Sequence, residues 1–436
     1  MERLHIAFFG PTNSGKSTLV NAIAGQQVSL VSDFPGTTTD PVRKAIEVPG
    51  LGPCVLIDTA GLDDTGILGT ERQRLTLAVL DETDIAVVLP MAQNDVHWEQ
   101  KGGKNAPNGA DFKLLAAQAG IPVIEYTRGE SVESLLRRIK EVRPQEEEQF
   151  LTGDLVRSGS QVVLVMPQDS EAPKGRLILP QVQVLRELLD RGCTAHCCTP
   201  ESLQGTLSSL SGMPDLVITD SQVFNYVEKS IPAECPLTSF SILLAAAKGD
   251  AAVFLQGARA IASLSPGSRV LIAEACTHVP DTEDIGRVKI PNLLKQYIEK
   301  RTQRHQPLAE AVAGACAIAG RSGGVWGSAP VKKAAGGISS SEHFSASGTR
   351  YQSSGASDGL QIDIAAGNDF PEDLSPYELI IHCGACVASR QLVRTRTRKA
   401  LLAGVPITNY GMAIAYLQGI LDRVAIPGLR NRRQSS

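Results

Sequence analysis

Cys276-Thr277-His278 and His382-Cys383-Gly384-Ala385-Cys386 bring three thiols and two imidazoles to the C-terminal half of this chain. Thiolate and imidazole are the soft and borderline donors that four-coordinate metal sites use. A short apolar run precedes each group, Val270–Ala273 before the first and Leu379–Ile381 before the second. Buried strands of an α/β sheet gather ligands beyond their carboxyl ends, so two segments far apart in sequence can close on one metal. Donor types and spacing alone serve a tetrahedral zinc and an iron–sulfur cluster equally well.

A different chemistry opens the chain. The apolar strand His5–Phe9 runs into Gly10-Pro-Thr-Asn-Ser-Gly-Lys-Ser17, and Thr18-Leu-Val-Asn-Ala-Ile begins a helix. Strand, G-x-x-x-x-G-K-S loop and helix together form a phosphate-binding loop. Gly10 and Gly15 let the backbone turn its N–H groups onto phosphate oxygens, and the helix N-terminus favours negative charge. Phosphates are expected on Gly10, Asn13, Ser14, Gly15, Lys16, Ser17 and Thr18, with Lys16 on the β/γ-phosphates and Ser17 on Mg²⁺. The strand Val55–Asp58 ends in a carboxylate that can hold the Mg²⁺ shell, and Gly61 is placed to sense the γ-phosphate. Phe34-Pro-Gly-Thr-Thr-Thr-Asp40 is a loop whose threonines can cap the metal.

Length and composition say what must position these groups. The 436 residues imply two or three domains. A 42% hydrophobic content and a net charge of −4 describe a soluble protein that binds neither nucleic acid nor a membrane surface. No apolar run is long enough to span a bilayer. A first strand near Leu4 leaves no room for a leader peptide within this sequence, so a cytoplasmic location is expected, with an organelle stroma or matrix the alternative if a further N-terminal segment precedes it. Nine cysteines without an export signal suit a reducing compartment. Glu146–Phe150 is a charged connector, and beyond it Gln161–Met166, the helix Pro180–Asp190 and Asp215–Thr219 alternate as in a parallel sheet. Cys193, Cys197 and Cys198 near His196 fit no ligand spacing and read as thiols between elements; Cys54, Cys235 and Cys316 read as isolated. Lys174 and Arg176 read as solvated.

Gly-x-x-Asn-x-Gly-Lys-Ser, Pro35-Gly-Thr-Thr38 and Asp58-Thr-Ala-Gly61 resemble the TrmE–Era group of GTPases. The resemblance implies that Asn13 helps to place a K⁺ ion beside the phosphates. No glutamine follows Gly61; Leu62 stands there instead, so hydrolysis would rest on the cation and on loop ordering. The implied catalytic set is Lys16, Thr38, Asp58 and Gly61, with Ser17, Thr38 and Asp58 on Mg²⁺ and Thr37 the alternative to Thr38. The guanine-reading Asn-Lys-x-Asp is absent. Asn108-Gly-Ala-Asp111 keeps Asn-x-x-Asp in a stretch, Lys101–Asp111, that reads as loop, before a closing strand at Gly120–Thr127 and a helix at Ser131–Val142. One strand–helix unit is therefore missing, and guanine over adenine is left open.

The segments Asp169–Pro180, Asp215–Gln222, Pro236–Ile242, Ala273–His278, Asp284–Pro291, Asp369–Ser375, Ile381–Cys386 and Pro406–Gly411 resemble the HydF family of FeFe-hydrogenase maturation GTPases. Its signature is Cys-x-His, a spacer, then His-Cys-x-x-Cys. The resemblance implies that Cys276, Cys383 and Cys386 ligate a 4Fe–4S cluster, with His278 and His382 as ligands or as neighbours that tune it. Three thiolates leave one iron open to exchange, and Glu283 is the first choice for a removable fourth ligand, a plain acidic loop being the alternative. About a hundred residues separate His278 from His382, roughly twice the family's spacer. The excess is a Gly/Ala/Ser-rich insertion at about 301–359, expected to be without order. The expected architecture is α/β: a P-loop GTPase domain (1–150), then two smaller domains with parallel sheets, one for dimerisation (155–262) and one for cluster binding and tetramerisation (265–428). The implied role is a GTP-dependent scaffold. It would take a diiron subcluster precursor made with two radical-SAM maturases and deliver it to apo FeFe-hydrogenase as a homodimer or homotetramer. Two rivals stand beside it: a GTPase of RNA modification or ribosome assembly with a structural zinc, and a zinc-stabilised protein with a vestigial nucleotide site.

Overall fold

The computed structural model describes residues 3–25, 41–62, 69–90, 109–143, 150–168, 175–275, 284–303, 359–367, 369–386 and 388–429. Three parallel or mostly parallel sheets follow one another along the chain.

The first sheet is built from β1 (Leu4–Phe9), β2 (Val42–Val48), β3 (Gly52–Asp58), β4 (Ile85–Val88) and β5 (Val123–Glu125), in the order β2-β3-β1-β4-β5. Helices α1 (Lys16–Ala24), α2 (Gly69–Leu80), α3 (Gly109–Gln118) and α4 (Val132–Val142) accompany it. Successive side chains of a strand face opposite ways. In β1, Leu4, Ile6 and Phe8 enter one core with Leu135 and Ile139 of α4, and Ala7 and Phe9 enter the other with Phe112 and Ala116 of α3. Both faces are covered, which is why β1 is buried throughout and apolar but for His5. These five strands belong to the described residues; residues 91–108, where the sequence shows no further apolar strand, lie outside them. Asn108 lies outside those residues, and Asp111 falls in the first turn of α3, a helix where the sequence suggested loop.

The second sheet comprises β6 (Gln161–Val165), β7 (Thr194–Cys198), β8 (Leu216–Thr219) and β9 (Leu237–Ser239), with α5 (Leu179–Asp190), α6 (Leu203–Ser209), α7 (Phe224–Ser230) and α8 (Phe240–Lys248). The third unit begins with α9 (Ala251–Ala260). It continues through β10 (Arg269–Glu274), a π-turn at Ile285–Lys289 leading into α10 (290–303), β11 (Gln361–Ala366), β12 (Leu379–His382), α11 (Arg390–Leu402), β13 (Ile407–Asn409) and α12 (Tyr410–Leu417). The strand orders are β7-β6-β8-β9 and β11-β10-β12-β13. Both are all-parallel and follow the same 2-1-3-4 pattern.

Two expectations need correction. Cys197 and Cys198 do not lie between elements; they are the last two residues of β7. By packing, the third unit starts before residue 265, because α9 lies on β13. A Cβ on Gly257 would sit 1.9 Å from the Ile407 carbonyl oxygen, and Thr408 Oγ1 donates to Phe254 O at 2.8 Å. Most of the 301–359 insertion lies outside the described residues.

The second and third units meet at matching strand-to-helix corners. Ser239 caps α8 by accepting from Ile242 N, and Asn409 caps α12 by accepting from Met412 N. Asn409 Nδ2 donates across to Ser241 O at 3.0 Å. A side chain on Gly411 would meet Ile242 Cγ1 at 2.8 Å, so only glycine lets the corners close.

Candidate functional site

The phosphate loop is folded into its motif's shape. Gly10 and Gly15 have φ of 151° and 94°, and Asn13 takes φ 59°, a left-handed conformation that asparagine accepts more readily than most residues. A Cβ on Gly10 would lie 2.7 Å from Leu89 O. Lys16 is buried, and its Nζ donates to Gly10 O (3.0 Å) and Pro11 O (2.7 Å). Asp58 is wholly buried at the end of β3. Leu62 N donates to Gly10 O at 3.3 Å, so the Gly61 segment is tied to the phosphate loop by one backbone bond. The Leu62 side chain belongs to the core with Phe9 and Ile57 and cannot orient a water. Lys16, Ser17, Asp58 and Gly61 thus converge at the carboxyl edge of one sheet; Thr37 and Thr38 lie outside the described residues.

At the third sheet, β10 and β12 are hydrogen-bonded neighbours, with Ala273 opposite His382. Their carboxyl ends, Glu274 and His382, therefore lie side by side, which brings Ala275 next to Cys383. Cys276, His278 and Glu283 lie outside the described residues. Cys383 and Cys386 are half-buried free thiols. Cys383 N donates to Ala273 O at 2.9 Å, and two backbone N–H groups point at the Cys383 sulfur, from Ala275 (3.1 Å) and Ala385 (3.4 Å). Ala385 sits at φ 50°, the kink that aims its N–H inward. Among the described residues no three Cys, His, Asp or Glu side chains cluster as a metal site.

His382 has both ring nitrogens engaged. Nδ1 donates to Cys383 O at 2.8 Å and Nε2 accepts from Arg396 at 3.1 Å. Burial, and then the Arg396 charge, push its pKa down to about 3, so the ring is neutral. Arg396 is itself buried. It also donates to Glu274 O (3.1 Å) and Gly367 O, and lies 4.9 Å from the Phe370 ring centre. Lys248, from the end of α8 in the middle unit, donates to Ala385 O (2.8 Å) and Ala388 O (2.7 Å). Ser389 follows at once: its Oγ caps α11 by accepting from Leu392 N and donates to Glu82 O of the nucleotide domain at 3.0 Å. Gln391 and Arg398 donate to Ala119 O and Gln118 O, and Lys399 pairs with Asp81 at 2.5 Å. All three units therefore touch the Cys383–Ser389 loop or the helix it leads into.

Lys248, Ser389 and Arg396 were not singled out by sequence. Lys248 carried a usable signal, a lone cation closing the apolar helix Ile242–Ala247. Arg396 carried none, standing among Arg390, Arg394 and Arg398 on one helix. In the middle unit the sheet edge opens into a cleft of about 530 Å³ lined by Gln168, Arg176, Gln181, Cys197 and Ser202; Lys174 lies outside the described residues.

Fold and site define a phosphate-loop GTPase domain joined to two parallel α/β units of like topology, the last carrying a thiol loop. A family model described as 50S ribosome-binding GTPase matches residues 5–111. Models of the hydrogen maturase F dimerization domain and tetramerization domain match 151–249, and 252–312 with 351–427. The chain belongs to the hydrogen maturase F family. The tRNA modification GTPase MnmE of Nitrosomonas europaea is 39% identical over 101 residues, 23% of this chain and 22% of that protein. MnmE of Xanthomonas oryzae pv. oryzae is 42% identical over 87 residues, 20% and 19% of the two chains. The chain thus spans about a fifth of the length of these curated relatives. Era of Aquifex aeolicus aligns over 52% of this chain and 98% of its own at 17% identity and a TM-score of 0.24. Toc33 of Arabidopsis thaliana aligns over 34% and 86% at 17% identity and a TM-score of 0.23. No helix among the described residues is long and apolar enough to cross a membrane.

Proposed function

We propose that the chain is a GTP-hydrolysing scaffold of hydrogenase maturation. In this reading it holds a 4Fe–4S cluster on Cys276, Cys383 and Cys386 and hands a diiron subcluster precursor to apo FeFe-hydrogenase. The observation that carries the cluster reading is the pair of backbone N–H groups aimed at the Cys383 sulfur. Backbone N–H groups aimed at a ligand sulfur are the contacts by which a protein holds and tunes an iron–sulfur centre. Soft sulfur donors beyond adjacent strands suit iron–sulfur chemistry. When bound, the cluster supplies an iron with a vacant position for a second iron unit. His382 orients the loop and is no ligand, since both its nitrogens are engaged. His278 and Glu283 are the remaining candidates beside the open iron.

On the nucleotide side, Lys16 leaves the carbonyls of Gly10 and Pro11 for the β/γ-phosphates. Ser17, Asp58 and Thr38 hold Mg²⁺, and Asn13 holds K⁺. The two radical-SAM maturases and the hydrogenase are the proposed partners, and a homodimer or homotetramer is the proposed assembly, in keeping with domains of the dimerization and tetramerization families. The cytoplasm is the proposed compartment, where reduced thiols persist. The tRNA chemistry of MnmE is not carried over, because that likeness covers the nucleotide domain alone.

Anaerobic reconstitution with iron and sulfide, followed by EPR of the reduced protein, tests the cluster. A 4Fe–4S signal that is lost in Cys383→Ser is expected; uptake of zinc alone, with no reduced-cluster signal, sinks the scaffold reading. Equal hydrolysis of ATP and GTP would show that guanine selectivity has been lost.

A further inference from the structure

We propose that Arg396 and Lys248 are the buried countercharge of the iron–sulfur cluster and set how readily it accepts an electron. The inference rests on the cluster reading above. Arg396 is 2% exposed, yet the groups it touches by hydrogen bond or ring contact are neutral: the Glu274 and Gly367 carbonyls, His382 Nε2 and the Phe370 ring, with Asp81 and Glu82 acting on it only through their charge. Its Nε is buried without a partner. A guanidinium taken from water is strongly disfavoured unless an anion faces it. The carboxylates around it are engaged elsewhere: Glu274 pairs with Arg287 at 2.8 Å, Asp81 with Lys399, and Glu82 with Arg43. What stands across His382 from Arg396 is Cys383. Lys248, 6% exposed, comes from the middle unit and binds the carbonyls of Ala385 and Ala388, on either side of Cys386.

A 4Fe–4S core on thiolates is anionic and gains one further negative charge when an external donor passes it one electron. No proton need move. Positive charge held in a medium of low dielectric favours the more negative, reduced form. Each cation therefore raises the reduction potential, and its neutral replacement lowers it.

The test is a redox titration of the reconstituted full chain with dithionite, read by EPR, for wild type, Arg396→Gln, Arg396→Lys and Lys248→Met. Iron per chain and the thermal unfolding of each apo protein are measured alongside. At the wild-type midpoint, Arg396→Gln and Lys248→Met are each expected to lower the reduced-to-oxidised ratio about tenfold, a shift of about 59 mV for a one-electron couple. Arg396→Lys, which keeps the charge, is expected to stay within about threefold. Unchanged midpoints in neutral variants that carry full iron overturn the countercharge and leave the cluster standing. If Arg396→Gln does not fold, Lys248→Met decides alone. A wild type that binds only zinc overturns the cluster reading and this inference with it, and that result is seen before any variant is made.

Discussion

Replacing Ser389 by alanine removes two hydrogen bonds from the point where the thiol loop becomes a helix. Its hydroxyl accepts from Leu392 N at 3.2 Å and donates to Glu82 O at 3.0 Å, and the residue is almost wholly buried. Loss of a serine cap costs about 1 kcal/mol. Loss of the second bond, which leaves a carbonyl at the domain junction unpartnered, costs about another 1 kcal/mol. The opening of the first turn of α11 should therefore become about 30-fold more frequent, at 1.4 kcal/mol per tenfold. Amide hydrogen exchange of Leu392 and Val393 reads that opening directly. Ser389→Asp keeps a capping oxygen but buries a carboxylate against the Glu82 carbonyl, so it is expected to lose more than Ser389→Ala. Ser389→Thr keeps both and should stay near wild type. Exchange of Leu392 and Val393 within about twofold of wild type in Ser389→Ala would refute the reasoning.

Three further outcomes follow from the packing. His5 is buried 4.0 Å from Glu82, and its pKa falls to about 4, chiefly through burial. A folded value below the unfolded 6.5 means its stabilising share is present above pH 6.5 and lost as pH drops from 6.5 towards 4. His5 accounts for about 2 kcal/mol of the stability lost between pH 7 and pH 5, in addition to the share of the likewise buried His382, so His5→Leu should reduce the pH dependence of the urea midpoints by about 2 kcal/mol without abolishing it. Gly257→Ala drives a methyl into the Ile407 carbonyl and should cost about 3 kcal/mol or more in thermal unfolding, whereas Gly205→Ala on α6, with nothing within 4 Å, should be neutral or slightly stabilising. Lys16→Met should lower phosphate release from GTP at least about a hundredfold while leaving the sheet intact, because Lys16 Nζ bonds to the carbonyls of the phosphate loop.

The phosphate loop was legible because its chemistry is local: strand, glycines, lysine and helix start are consecutive in the chain. The thiol loop was legible in part. The apolar runs at 270–273 and 379–381 announced two buried strands, but their adjacency is a property of the sheet order and no sequence pattern states it. Strand β7 was missed because Thr194-Ala-His-Cys-Cys198 has a half-exposed, mixed pattern that resembles neither a buried nor an alternating strand. β11 escaped notice because it follows directly on the 301–359 insertion and reads Gln-Ile-Asp-Ile-Ala-Ala, too polar for a buried strand; it occupies a sheet edge where that composition is tolerated. Arg396 was invisible for a plainer reason. Burial of one arginine among four on α11 depends on what the other units place against that face.

The shared strand order of the second and third sheets makes the thiol site intelligible as a change at one strand end. In register, Val165 stands opposite Thr219 in the middle unit as Ala273 stands opposite His382 in the third. The residue after each of these is Asp220 in one and Cys383 in the other. Asp220 accepts from Gln181 Nε2 at 3.0 Å, an ordinary polar closure of a sheet edge. At the matching position Cys383 receives two backbone N–H groups, and a histidine replaces the threonine beneath it. Thr219 satisfies itself on the Val165 carbonyl across the sheet. His382 reaches further, to a buried arginine that the middle unit's edge does not show. The scaffold thus provides the same shelf twice. Among the described residues the third unit's shelf joins the Cys383 sulfur, a kinked loop and the buried Arg396 and Lys248, so the feature that distinguishes it is electrostatic as much as it is a set of ligands.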